Sequence, residues 1–373
     1  VGEVSDFRAE QVGSLLRPPE LQQAWGQFFA GELDRSALVE IEDRAIMTAL
    51  EGQRATGIDV YTDGEFRRVV YMGGLMDAVE GFMFGQGEKL NWKTDPGREV
   101  PTEMAEFALP AVAERLRPKG RIAAHEAAFM RQYSPGPFKI TLPSAAHFAE
   151  GSYRPELSAR AYPSRSDLVH HLAEILSKEA ADLVREGTTY IQVDSPTYST
   201  WMDPEWLAEY EARGVDMEDL LEATIAADNA ILDAARSGGA LTAVHVCRGN
   251  GMGAWLASGG YERIAERVFG ELRCDRFLLE YDTERAGTFE ALRLIPAFKM
   301  VVLGLISTKY GALEPRDDVL RRIEEAGRFV PIERLALSTQ CGFASDFRGN
   351  PLTSDEQWRK LELVVSVARK VWG

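Results

Sequence analysis

The sequence predicts an α/β protein whose short strands alternate with long helices and close into a (β/α)8 TIM barrel, with a hairpin or loop region inserted around residues 81–137. Two observations carry this expectation. Short apolar and β-branched runs are separated by stretches with 3.6-residue periodicity, the pattern of a parallel sheet wrapped by helices. The strand-like runs number about eight, for which a closed barrel is the economical arrangement and a doubly wound open sheet the alternative.

The runs read as strands are Ile58 to Thr62, Phe138 to Leu142, Thr189 to Val193, Leu241 to Val246, Phe277 to Tyr281, Met300 to Ile306 and Leu335 to Ser338. A weaker one lies at Ala9 to Val12 or at Arg121 to Ala124. Between them fall amphipathic stretches at Asp34 to Thr56, Ser166 to Glu186, Asp216 to Ser237, Tyr261 to Leu272, Asp317 to Ala326 and Ser354 to Trp372. Ser354 and Gln357 have the spacing of a capping box, and Ser166 reads as the cap of the run beginning Asp167-Leu168. The stretch from Gly81 to Pro137 carries Pro, Gly and the polar run Asn91 to Glu103, which marks it as the insertion. Asp203-Pro204 reads as a loop with a short helix after a strand.

Composition narrows the function. The 373 residues are 45% apolar and 27% charged, which suits a folded globular chain rather than a disordered one. A formal charge of −16, from 42 basic and 58 acidic side chains, argues against binding nucleic acid, where clustered Lys and Arg supply the affinity. No apolar run approaches the roughly 20 residues that span a bilayer, so no membrane role is expected. The opening Val1-Gly2-Glu3-Val4-Ser5-Asp6 lacks the order of a signal peptide. Only Cys247, Cys274 and Cys341 occur, too few for a disulfide framework. A cytoplasmic location follows as an expectation, and self-association into a homo-oligomer stays open.

Barrel chemistry gathers at the C-terminal ends of strands, and several of these predicted ends carry functional side chains. In Val244-His245-Val246-Cys247-Arg248, His245 and Cys247 stand two apart and so face one side of a strand. The next strand ends at Glu280-Tyr281-Asp282, and the last runs into Thr339-Gln340-Cys341. A lone Cys is often a small buried hydrophobe, and Cys274, at a helix end, is read that way. One His, two Cys and one carboxylate, in contrast, make a zinc set: His245, Cys247, Glu280 and Cys341. His125, His147, His170 and His171 have no partner at ligand spacing and are read as surface or core residues. Asp63, Glu65 and Asp194 also lie at strand ends, where an acid can hold an ammonium, bind a metal, act as a base or cap a helix. Capping is the plainer reading for Asp63. Near the N-terminus, Gly13-Ser14 offers backbone donors and a hydroxyl to a carboxylate or other anion.

The pieces VGSLLRP, DVYTDGEFRR, YIQVDSP, AVHVCRGN, LLEYD, VVLGLIS and LSTQCGFAS, in this order, resemble the catalytic half of the cobalamin-independent methionine synthases, from about Gln11 to Trp372. The resemblance implies one barrel domain over 1–373 and one zinc ion on His245, Cys247, Glu280 and Cys341. It also implies activation of homocysteine as a zinc thiolate for methyl transfer, with Ser14, Glu65 and Asp194 holding the amino acid. Two departures bear on the donor. The family's additional folate-binding barrel has no counterpart here, and Lys309 stands where the family has its proton-donating His. Loss of a proton donor matters for a methyl-folate and not for a methyl-corrinoid. The chain is also similar to the epoxyalkane:coenzyme M transferases. In that alternative, Arg17 or Arg248 would meet the sulfonate, and Lys309 or Tyr310 the alkoxide left by epoxide opening.

Overall fold

The computed structural model describes residues 7–85, 89–106 and 108–373. The N-terminal run Val1 to Asp6 discussed above, like 86–88 and 107 within the insertion, lies outside the described residues. Among the described residues nine strands form: β1 (Ala9–Glu10), β2 (Val79–Met83), β3 (Ala111–Pro118), β4 (Ile140–Pro143), β5 (Tyr190–Asp194), β6 (Leu241–Val246), β7 (Arg276–Glu280), β8 (Met300–Ile306) and β9 (Leu335–Thr339). Seven of them make one parallel sheet in the order β1-β9-β8-β7-β6-β5-β4. Strands β4 to β9 are buried along their whole length, as parallel strands covered by helices are, which is why they read as apolar runs.

The expected strand at 58–62 is present as an irregular extended segment, and it closes the ring between β1 and β4. Asp59 N donates to Ala9 O (3.0 Å), Tyr61 N to Pro137 O (2.9 Å) and Lys139 N to Tyr61 O (3.1 Å). Side chains replace the rest of a regular ladder. Asp59 Oδ2 accepts from Arg8 N (2.7 Å) and Ala9 N (2.8 Å), and Gln53 Oε1 accepts from Thr62 N (2.9 Å). Of the two weak candidates, Ala9 is in the strand, whereas Arg121 to Ala123 lead into the helix Ala124–Tyr133.

The insertion is a hairpin, as expected, but a narrower one. β2 and β3 pair antiparallel from Val79 opposite Pro118 to Met83 opposite Ala111. Beyond it, Ala124–Tyr133 belongs to the barrel's helical layer. The connection between β2 and β3 crosses to the barrel's C-terminal mouth, where Lys93 N donates to Trp255 O (2.7 Å) and Trp255 N to Lys93 O (2.8 Å).

Two helix caps differ from expectation. The capping boxes are Ser164 with Asp167 and Thr353 with Glu356, each starting before the Ser read as the cap. In both, an acidic carboxylate returns the bond to the cap's own N–H, a stronger acceptor than the Gln357 amide. Gln357 is used elsewhere: its Oε1 accepts from Leu16 N at 2.7 Å. No helix among the described residues is long and apolar enough to cross a membrane.

At the N-terminal end of the barrel, below a layer that includes Val12, Val60, Ala243, Leu278, Val302 and Ala336, lies a buried ionic network. Glu10 takes Arg276 Nη1 on Oε1 (2.5 Å), and Lys139 Nζ (3.4 Å) and Tyr190 OH (3.0 Å) on Oε2. Glu10→Gln removes the carboxylate that Arg276 and Lys139 share among the described residues. It is expected to cost about 3–5 kcal/mol, measured as a lowered denaturation midpoint. A midpoint equal to that of the parent would mean the network is not closed in solution.

Candidate active site

Strands β5, β6 and β9 end at one cavity, and the sheet register decides what meets there. His245 points inward near the end of β6, Cys247 follows two residues on, and Cys341 stands two residues beyond β9. The thiols approach to 3.4 Å, and donor atoms of His245, Cys247 and Cys341 all lie within 4.8 Å of one another, buried. Asn250 stitches the two cysteine loops together, its Nδ2 donating to Gly342 O at 2.7 Å. His245 Nδ1 faces Leu278 O at 3.2 Å, which makes it the protonated nitrogen and leaves Nε2 bare. Nε2 is buried without a hydrogen-bond partner. A free lone pair beside two thiols, with the ring held from behind, is the arrangement of a metal-ligating His, so these residues fit a metal ion. The thiols divide their protons unequally. The hydrogen bond from Cys247 holds Cys341 well below the usual thiol range, and the same bond pushes Cys247 well above it.

Glu280, expected as a fourth ligand, is not among the three donors brought together. Its Oε1 accepts from Arg285 Nη2 (3.0 Å) and its Oε2 from Arg248 N (3.1 Å). Burial opposes its ionisation, but Lys309, Arg285 and Arg248 outweigh burial and keep its carboxyl below the ordinary range.

Ser14, Glu65 and Asp194 do line the cavity, a cleft of about 800 Å³ counted to its open mouth. Ser14 Oγ accepts from Ala344 N (3.2 Å), which leaves its own proton to donate. Glu65 is held in the left-handed region (φ 57°), directly after Gly64 (φ 72°), a conformation that costs energy for a residue with a Cβ and is concentrated at functional sites. Asp63 Oδ1 supports this turn by accepting from Glu65 N (2.9 Å), so Asp63 caps a turn rather than a helix. Glu65 Oε1 accepts from Thr141 Oγ1 (2.9 Å), and its Oε2 is buried and unpartnered. Gly13 makes room for it, since a Cβ there would lie 2.5 Å from Glu65 Oε1. Burial pushes Glu65 up to about 8, against the pull of Arg68. Burial likewise raises Asp194 to about 6, against His245 and its hydrogen bond from Gln192 Nε2 (2.7 Å).

Three expected site residues turn away from the cavity. Arg17 Nη2 donates to Glu65 O (2.7 Å) and Arg68 O (2.5 Å), bracing the Glu65 turn. Arg248 Nη1 donates to Tyr261 OH and Glu280 O (both 2.8 Å), and its Nη2 to Gly259 O (2.9 Å). Lys309 Nζ donates to Gly249 O (3.0 Å), Asn250 Oδ1 (3.3 Å) and Ala254 O (3.4 Å), holding the loop after Cys247. Tyr310 OH reaches Gly253 O at 3.3 Å. These cations therefore shape the site's walls by satisfying turn carbonyls, and none of the three lines the cavity.

Other lining residues escaped the sequence reading. Tyr71, Trp92, Met104 and Asn250 line the cavity, as does His147, which had been read as a surface or core residue. Tyr71 lies six residues after Glu65 in the same strand-end loop, a position that could have marked it. His147 lies four residues past the end of β4, a strand whose end carries no acid to draw notice.

The family model described as the cobalamin-independent synthase catalytic domain matches residues 7–370. The uncharacterized protein YxjG of Bacillus subtilis (strain 168) is 36% identical over 373 residues, covering 98% of this chain and 95% of the relative. A methionine synthase of Saccharolobus solfataricus is 24% identical over 333 residues, covering 89% of this chain and 86% of its own length. A solved chain from Listeria monocytogenes, described as a candidate vitamin-B12-independent methionine synthase, is 27% identical, with a TM-score of 0.75 and 100% of both chains covered.

The raised Glu65 carboxyl has a thermodynamic signature. Its folded value lies above the ordinary 4.5, so the native state keeps a proton that the unfolded chain releases. That stability is complete below 4.5 and lost as pH rises through about 8. Glu65→Gln is expected to flatten the fall of the denaturation midpoint across this window in ligand-free protein. An unchanged slope would mean that Glu65 is ionised in the native state.

Proposed function

This chain belongs to the cobalamin-independent methionine synthase family, represented by its catalytic domain, and from that premise we propose that it is a zinc-dependent S-methyltransferase converting homocysteine to methionine. The observation that carries the reading is the juxtaposition, in one buried cavity, of a His–Cys–Cys cluster and two carboxyls whose affinity for protons is raised. His245, Cys247 and Cys341 would hold the zinc, and three protein donors leave a tetrahedral ion one place for substrate. A zinc ion there supplies the Lewis acidity that deprotonates a thiol at neutral pH.

The chain's own residues do the rest. Glu65 and Asp194 have no cation of the protein poised fully against them: Arg68 Nη1 stops 3.9 Å from Glu65 Oε1, and Arg68 Nη2 is committed at 2.5 Å to Glu126. A substrate ammonium placed between these acids would ionise both and gain from the dry surroundings. The Ser14 hydroxyl is free to donate to the substrate carboxylate. Methyl-folate is the donor we propose, after the family's reaction. The coenzyme M alternative needs a cation for the sulfonate, and Arg17 and Arg248, its expected partners, are spent on carbonyls outside the cavity. The Asp194 carboxylate lining the cavity would repel a sulfonate, and a protonated Glu65 offers it no cation.

The test is proton release on adding thiol to zinc-loaded protein. Homocysteine is expected to release about one proton per site, and coenzyme M none. Release with coenzyme M alone would overturn the homocysteine reading. Cys247→Ser and Cys341→Ser are each expected to lose bound zinc and methyl transfer together, followed by metal analysis and activity. Full activity in a variant holding no zinc would remove the metal from the scheme. Asp194→Asn should weaken homocysteine about tenfold or more and leave its analogue lacking the amino group within about twofold, by calorimetry. Equal weakening of both would exclude Asp194 as the ammonium's partner.

A further inference from the structure

With Lys309 committed to three loop acceptors, proton delivery to a leaving amine has no obvious agent among the residues expected for it. Apart from the acids and thiols assigned above to the substrate and the metal, Tyr71 and His147 line the cavity with a proton that could be given. Tyr71 OH is buried without a partner, and burial together with Asp194, Cys247, Cys341 and Glu65 drives its ionisation well above the ordinary range. Its phenol can donate a hydrogen bond but not surrender its proton.

His147 is built differently. It lies on the helix Ala145–Ser152 that follows β4, with its ring 6.1 Å from that of Tyr71. Nδ1 faces Glu150 Oε2 at 3.8 Å, one helical turn on. Glu150 is itself fixed, its Oε1 accepting from Tyr210 OH at 2.7 Å. No described residue hydrogen-bonds to Nε2. A carboxylate behind one ring nitrogen orients the ring and leaves the other nitrogen turned to a bound donor. His147 also lines an adjoining cleft with Glu150, Trp206 and Tyr210, which gives the ring a second face from which to recover a proton.

We propose that His147, oriented by Glu150, is the catalytic acid that protonates the leaving atom of the methyl donor. This rests on the methyltransferase reading above. The sulfur of homocysteine forms the new S–C bond with its own electron pair, and the donor's C–N bond breaks with its pair remaining on nitrogen. That nitrogen takes the proton from His147 Nε2, and the imidazole regains one from solvent. One thiol and one tertiary methylamine become one thioether and one secondary amine. Glu150 is a positioning residue.

Donors that differ in their need for a proton make the test. Zinc-loaded wild type, His147→Gln and Glu150→Gln are compared in methyl transfer to homocysteine from 5-methyltetrahydrofolate, whose leaving amine needs a proton, and from trimethylsulfonium, whose leaving dimethyl sulfide needs none. Homocysteine-dependent proton release is measured alongside as a check on thiol binding. His147→Gln is expected to lower folate-dependent turnover by about 10²–10⁴-fold, with sulfonium-dependent turnover and proton release held within about twofold. Glu150→Gln should show the same split at about tenfold. Equal losses with both donors, or no loss with folate, overturn the role of His147. A wild-type protein that uses the sulfonium but not the folate overturns that role along with the folate donor, and leaves thiol activation standing. Failure of wild type with both donors overturns the methyltransferase reading itself.

Discussion

The C-terminal mouth of this barrel concentrates anionic groups in a dry place, and their partial neutralisation organises the site. Glu65, Asp194, Cys247, Glu280, Asp282 and Cys341 are all withdrawn from water. Several like charges cannot ionise together in low dielectric without cations. The protein supplies those cations on one side only. Arg285, Lys309 and Arg248 surround Glu280 and keep it ionised. Asp282, next along the chain but one, meets Arg285 Nη2 at 3.6 Å without a hydrogen bond, and burial raises it to about 6. Across the cavity, Glu65, Asp194 and the thiol pair have no equivalent set. On the proposed reading, that asymmetry leaves room for a metal ion and a substrate ammonium.

The opposite end of the barrel shows the contrast. There Glu10 is matched by Arg276, Lys139 and Tyr190, and the network closes on itself. Both ends bury charge, but here each named charge meets an opposite one, whereas at the mouth Glu65 has no cation within hydrogen-bond distance. In barrels of this kind the N-terminal end is where stability resides and the C-terminal end where chemistry does. The distribution of paired and unpaired charge follows that division without reference to any motif.

What could be read from the sequence followed from short-range geometry. Strand alternation places residues two apart on one side, so His245 and Cys247 could be paired by spacing alone, and Cys341 followed from the end of the last strand. The apolar runs marked β4 to β9 to within a residue or two, because strands buried on both faces leave no polar alternation to confuse the boundaries. Long flexible cations were not legible in this way. Arg17, Arg248 and Lys309 are near the site in sequence, but a side chain with three to five donors goes where turn carbonyls are unsatisfied. That depends on loops brought together from distant segments, such as Lys309 reaching Gly249 and Ala254. His147 was missed for the complementary reason. Its partners, Glu150 on its own helix and Tyr71 from another loop, converge only once β4 is set into the ring.

The excursion between β2 and β3 ties these features together. It contributes Trp92 and Met104 to the cavity wall, and its backbone pairs with Trp255 in the loop after β6. Trp255 in turn lies beneath Arg285, whose guanidinium is 4.9 Å from the ring centroid and whose Nη2 holds Glu280. The covering segment, the cation and the carboxylate thus form one connected structure. Anything that lifts the segment from Trp255 would also wet the site and weaken the hold on Glu280. A cover of this kind strengthens the electrostatics below it by excluding water. On the proposed reading, Glu280 then serves less as a permanent ligand than as an ionised carboxylate kept at the edge of the cluster. Arg285, donating to Glu280 Oε1 at 3.0 Å, would then compete with a bound metal for that carboxylate.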